Sequence, residues 1–171
     1  MGGGGGKVAQ NGGGGGGGLA RSRPRSKQTP EEMDLLPEIY AGLDSGDWRE
    51  RLAALEKGVR LVEDKGDMVV VTGKLAQLVN RLSERLSDRN LKVNILALEG
   101  VARITRALGP SLEPVLNTLI PLLCKNFAST NQQLVLLAGE AMDALSEEVD
   151  PCLLVQPVAS LAEHGNPRLK V

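Results

Sequence analysis

From residue 30 onward, apolar residues recur every three or four positions, in segments separated by short polar breaks. That spacing places the apolar side chains on one face of a helix, because 3.6 residues complete a turn. The pattern predicts helices at 31–44, 47–63, 72–87, 90–108, 112–128, 131–148 and 151–164. Start signals agree with it. Thr29-Pro30-Glu31-Glu32 reads as a capping box, with Thr29 at the N-cap and Pro30 at the first helical position. Asp47-Trp48-Arg49-Glu50 offers the same Asp-x-x-Glu arrangement, and Asp150-Pro151 opens a later helix. The one β-like run, Met68-Val69-Val70-Val71, is too short to outvote the helical periodicity around it.

The breaks repeat. Asp47-x-x-x-x-Leu52-Ala53-Ala54-Leu55 falls over Asn90-x-x-x-x-Ile95-Leu96-Ala97-Leu98 at an offset of 43. Ala97-Leu98-Glu99-Gly100 matches Ala138-Gly139-Glu140-Ala141 at 41, and Asn131-x-x-Leu134 matches Asn166-x-x-Leu169 at 35. Two helices per period of about 40 residues is the signature of stacked helical arrays of the HEAT or armadillo kind. The expected fold is therefore all-α, a solenoid of antiparallel HEAT-repeat helix pairs in which each pair covers its neighbour's apolar face. An ordinary helical bundle is the competing architecture. Four breaks sharing Asp or Asn, with small residues repeated after them, argue against it.

Composition divides the chain near residue 30. Twelve of the 21 glycines lie within residues 2–18. Residues 1–29 contain Lys7, Arg21, Arg23, Arg25 and Lys27 and no acid, whereas the whole chain carries −1. Such a segment cannot bury enough apolar surface to offset its ordering entropy, so 1–29 is expected to be a disordered tail and 30–171 the folded domain. No run of 18 apolar residues suggests a membrane span. Two cysteines, Cys124 and Cys152, without a secretory signal suit a reducing compartment and are expected to be buried small apolar residues. The basic stretch Arg21–Lys27 lacks interleaved aromatics, which disfavours nucleic acid. His164 is the only histidine, there is no Cys-x-x-Cys, and Gly5-Gly6-Lys7 is followed by Val8, so no metal, cofactor or catalytic constellation is expected. The reading is a cytoplasmic monomer that binds proteins and catalyses nothing.

Leu43-Asp44-Ser45-Gly46-Asp47-Trp48-Arg49-Glu50-Arg51-Leu52-Ala53-Ala54-Leu55 resembles the first repeat of a TOG domain. Leu86-Ser87-Asp88-Arg89-Asn90-Leu91-Lys92-Val93 is similar to the second, and His164-Gly165-Asn166-Pro167-Arg168-Leu169-Lys170-Val171 to the fourth. The likeness covers residues 35–171 and is closest to the CLASP and crescerin groups, the latter found in cilia. It implies a paddle of HEAT repeats whose intra-repeat turns line one edge and grip tubulin, acting in microtubule dynamics in the cytoskeleton or the ciliary axoneme. Carried over by position, the tubulin contacts would be Trp48, Arg49, Arg89, Asn166, Arg168 and Lys170. Arg51 and Lys92 lie further into their helices and are expected to pair locally with glutamates. The third turn, Asn131-Gln132-Gln133, departs from the pattern by lacking a basic residue, and only three and a half repeats are present. The alternative function is a HEAT scaffold for some other protein.

Overall fold

The computed structural model describes residues 1–3 and 35–164. The Thr29 capping box and nearly all of the glycine-rich segment lie outside them, as do Asn166, Arg168 and Lys170. Seven α-helices follow in order among the described residues: α1 Leu35–Leu43, α2 Trp48–Val71, α3 Leu75–Ser83, α4 Leu91–Leu108, α5 Leu116–Phe127, α6 Gln132–Glu148 and α7 Pro151–His164. Helix α3 runs on into a 3₁₀ turn, Glu84–Ser87, and a second 3₁₀ segment, Gly109–Val115, joins α4 to α5.

All seven helices predicted from periodicity are present, and their bounds shift where local geometry intervenes. Helix α2 continues past residue 63 to Val71 through a kink at Lys65 (φ −135°, ψ 24°). Met68–Val71 is therefore the end of a helix, because Val69 is fully buried against the core. The turn after it needs Gly73 at φ +70°, a left-handed conformation that a Cβ disfavours. Asp47 caps α2 through its side chain, which accepts from the Arg49 N–H. The reciprocal half of the expected capping box is absent: the Asp47 N–H donates to Ser45 Oγ, and Glu50 accepts from the Ser45 hydroxyl instead.

The helices form two layers. Helix α4 packs between α2 and α6, while α1, α3, α5 and α7 follow one another in the second layer. Each hairpin, α1–α2, α3–α4 and α5–α6, stacks on the next, so the architecture is an all-α solenoid. The core between the layers is almost wholly aliphatic: Leu43, Leu55, Leu78, Leu86, Leu98, Leu112, Ile120, Leu123 and Leu145 are all fully buried. Small residues let the helices approach closely. A Cβ on Gly100 of α4 would lie 2.8 Å from Val59 Cγ2 of α2. Within Leu91–Phe127 an 18-residue window reaches a mean hydropathy of 1.2, and half of that window is buried because α4 and α5 are covered on both sides. The hydropathy of the stretch is that of a core, broken in the middle at Gly109.

Candidate partner-binding rim

Three intra-repeat turns carry the same local device. Each begins with a side-chain oxygen that accepts from the backbone N–H two residues later: Ser45 from Asp47 (3.1 Å), Asp88 from Asn90 (2.9 Å) and Ser129 from Asn131 (3.1 Å). Each of those second residues then caps the following helix by accepting from the N–H two positions on: Asp47 from Arg49 (2.9 Å), Asn90 from Lys92 (3.0 Å) and Asn131 from Gln133 (2.9 Å). Short polar side chains bonding to nearby backbone stop one helix and start the next. The three breaks found in the sequence are thus structurally equivalent.

Side chains also tie consecutive turns together. Arg51 in α2 reaches across to the second turn and binds Asp88 in fork geometry, Nε to Oδ2 at 2.8 Å and Nη2 to Oδ1 at 2.9 Å. Its Nη1 donates back to the carbonyls of Ser45 (2.9 Å) and Gly46 (3.1 Å). One guanidinium therefore fixes the spacing of turns one and two. Both partners are removed from water, with side-chain exposures of 14% for Arg51 and 3% for Asp88. Burial by itself would push the Asp88 carboxyl up. The hydrogen bonds from Arg51 and the Asn90 N–H, with the charges of Arg51 and Arg85, outweigh it and hold Asp88 below the usual aspartate range. Arg51 was expected to pair with a nearby glutamate; the register of the repeats gives it a buried partner 37 residues away instead.

Two further rungs recur. Arg85 donates to the Leu43 carbonyl (3.0 Å), and Asn126 donates to the Leu86 carbonyl (3.0 Å), each joining the end of one helix in the α1, α3, α5 layer to the end of the one before it. Arg81 binds both oxygens of Asp44 (3.0 and 2.9 Å). Nothing in a pairwise reading of the sequence marks Asp88, Arg85 or Asn126 as a tie; the offset of about 40 between partners is the signal that would have found them.

On this frame sits Trp48, the first residue of α2, half-buried with its ring packed on the core edge. Arg49 Cζ lies 4.8 Å from the ring centroid and Lys92 Nζ, from the following repeat, 5.3 Å. Lys92 thus stacks on an aromatic ring where a local glutamate was expected. The rim presents an indole flanked by two cations. Arg49 is 72% exposed on its side chain, Arg89 is exposed in the second turn, and Leu91, the counterpart of Trp48, is 45% exposed. Of the six residues read from the sequence, Trp48, Arg49 and Arg89 are thereby on adjacent turns, while Asn166, Arg168 and Lys170 lie outside the described residues. The third turn offers only Thr130, Gln132 and Gln133 at its exposed tip. Cys124 is buried, and burial pushes its thiol up, but Cys152 at the start of α7 is exposed, contrary to the expectation for both.

No family model matches the chain. Among curated proteins it is similar to TOG array regulator of axonemal microtubules protein 1 from Homo sapiens, 32% identical over 82% of this chain, and from Mus musculus, 30% identical over 88%. It is also similar to Centrosomal protein 224 of Dictyostelium discoideum, 28% identical over 71% of this chain. The chain spans 8% of the length of each of the first two relatives and 5% of the third. The first two relatives are named as regulators of axonemal microtubules and the third as a centrosomal protein.

Proposed function

We propose that residues 30–171 form a partial TOG-like domain that binds tubulin through the rim of intra-repeat turns, in cytoskeletal or ciliary regulation of microtubules. The observation that carries this reading is Trp48 held between Arg49 and Lys92 beside the exposed Arg89. A half-buried aromatic on a rigid frame is a suitable anchor for an interface, because it desolvates on contact at little cost in rotamer entropy. The cations around it attract an acidic partner such as tubulin and orient the encounter. Support for tubulin over other acidic proteins comes from the names of the two relatives that match most of this chain, both regulators of axonemal microtubules. Asn166, Arg168 and Lys170 would extend the same rim on the fourth turn, and the tail of residues 1–29, with its five basic residues, would add salt-sensitive attraction.

The test is gel filtration of the chain with purified tubulin at low salt. The wild-type chain co-elutes; Trp48→Ala combined with Arg89→Glu does not, while its helicity by circular dichroism is unchanged. A wild-type chain that never co-elutes, or a double variant that still does, removes the reading and leaves a scaffold for a different protein.

A further inference from the structure

The two boundaries between hairpins use different chemistry at equivalent positions. At the first, three charged side chains meet: Arg51, four residues after the cap Asp47; Asp88, two before the cap Asn90; and Arg85, five before it. Arg51 forks onto Asp88 at 2.8 and 2.9 Å, and Arg85 Nη1 stands 3.7 Å from the same carboxylate. At the second boundary the same three places, counted from Asn90 and Asn131, hold Asn94, Ser129 and Asn126. The whole set is neutral.

Asn94 stands where Arg51 does but does not make the tie. It is only 8% exposed, and its Oδ1 has no hydrogen-bond partner. Ser129 Oγ accepts from the Asn131 N–H (3.1 Å), a bond inside its own turn. Asn126 is the member of the set that still reaches across. It is buried, and its Nδ2 donates to the Leu86 carbonyl (3.0 Å), as Arg85 donates to that of Leu43. That bond lies in the layer of α1, α3 and α5. The charged set thus fastens the first boundary in both layers, by Arg85 in one and Arg51 in the other. The neutral set pins the second boundary in one layer alone.

We infer that the hairpin α5–α6 swings on the hairpin α3–α4, pivoting at the Asn126–Leu86 bond, while the first two hairpins are locked to each other. A buried ion pair is satisfied in a single register, because moving either partner strands a desolvated charge. Any slide of α4 on α2 would separate Arg51 from Asp88 and meet that penalty. Asn94 and Ser129 carry no charge, so a slide of α6 on α4 strands none. An amide oxygen already without a donor loses nothing when its neighbours shift. Small sliding of packed helices is an ordinary mode of conformational change, and the rim is built to allow it at one boundary and forbid it at the other. The uncharged third turn, residues 130–133, therefore moves against the rigid pair of turns that holds Trp48 and Lys92. The rim changes its curvature without disturbing its aromatic anchor.

Methyl relaxation dispersion by NMR on the full chain reads motion on the μs–ms scale and tests the hinge. Leu134 and Leu145, buried in α6, are expected to show an exchange contribution at least about threefold larger than Leu55 and Val59, buried in α2. Asn94→Arg/Asn126→Arg/Ser129→Asp installs the charged set at the second boundary and should flatten the α6 profiles to those of α2. Arg51→Asn/Arg85→Asn/Asp88→Ser places the neutral set at the first boundary and should raise the α2 profiles to those of α6. Each variant is a separate test, so one that does not fold leaves the other to decide, and the wild-type comparison stands without either. Flat profiles at Leu134 and Leu145 in the wild-type chain overturn the hinge. So do α6 profiles that the charged set leaves unchanged, since the motion then has another source, or α2 profiles that the neutral set leaves flat. Tubulin takes no part in these measurements, so they stand or fall apart from the rim's proposed partner.

Discussion

Arg51→Ala isolates the tie between the first two turns. The substitution removes two hydrogen bonds from a carboxylate whose side chain is 3% exposed, and two more from the carbonyls of Ser45 and Gly46. Breaking a buried ion pair from one side costs about 3–5 kcal/mol, because the remaining charge stays desolvated. Asp88 keeps the Asn90 N–H at 2.9 Å and Arg85 at 3.7 Å, so the lower end, about 3 kcal/mol, is expected. For a folded unit of this size that corresponds to a fall in Tm of roughly 10 °C. Asp88→Asn alone should cost less, and in the double variant the two effects should fall well short of adding, since they remove one interaction. The loss should also depend on pH. Asp88 has a depressed folded-state pKa, so the unfolded chain takes up its proton first as pH falls. Its contribution is fully present above the unfolded aspartate value, near pH 4, and disappears as pH falls through the lower folded value. The difference between wild type and Arg51→Ala should therefore shrink between pH 6 and pH 3. Urea unfolding followed at 222 nm across that range measures it. A loss below about 0.5 kcal/mol at pH 7, typical of a surface pair, or a difference that does not change with pH, would refute the assignment.

Asn131→Ala should destabilise the chain by about 1 kcal/mol, read by urea unfolding, because it removes the side-chain cap that accepts from the Gln133 N–H, while the backbone N–H of residue 131 keeps its bond to Ser129. Gly100→Val should cost roughly 1–3 kcal/mol, since even its Cβ would meet Val59 Cγ2 at 2.8 Å; a thermal melt within 2 °C of wild type would mean α2 and α4 are less tightly apposed. Glu56 is held low by hydrogen bonds from Arg60 and Arg103, which outweigh its burial, and Glu63 is held low by Arg103 against the same penalty. Both contributions are present above the ordinary glutamate pKa and fade as pH falls through the lowered values, so Arg103→Met should flatten the acid side of the stability curve. Lys92→Ala should shift the fluorescence of Trp48, the only tryptophan, while leaving helicity intact, because the cation over its ring is lost.

The helices and their pairing into repeats were legible in the sequence for a local reason. Periodicity of 3.6 residues marks a buried stripe, and Asp47, Asn90 and Asn131 mark the restart of a helix by bonding to backbone two residues away. Three of the rim residues, Trp48, Arg49 and Arg89, could be named because equivalent positions of stacked repeats superpose. The extension of α2 to Val71 was not legible, because β-branched residues disfavour a helix locally and only burial of Val69 against the core overrides them. Exposure of Cys152 was hidden in the same way. It sits in the first turn of α7, where which face is covered depends on the neighbouring helix and not on its own sequence.

What the chain's own order of residues determined, then, is each hairpin: where helices start, which stripe is apolar, and that the units recur. What only the stacked structure decided is who meets whom between units. Arg51 and Lys92 could each have paired with an acid nearby in the sequence; instead they meet Asp88 and Trp48 across the repeat boundary. Contacts within a helix follow from spacing of three or four residues, whereas contacts between repeats depend on the rise and rotation of one hairpin on the next. That rotation is set by the summed packing of buried side chains such as Val59 against Gly100, and no short stretch of sequence encodes it.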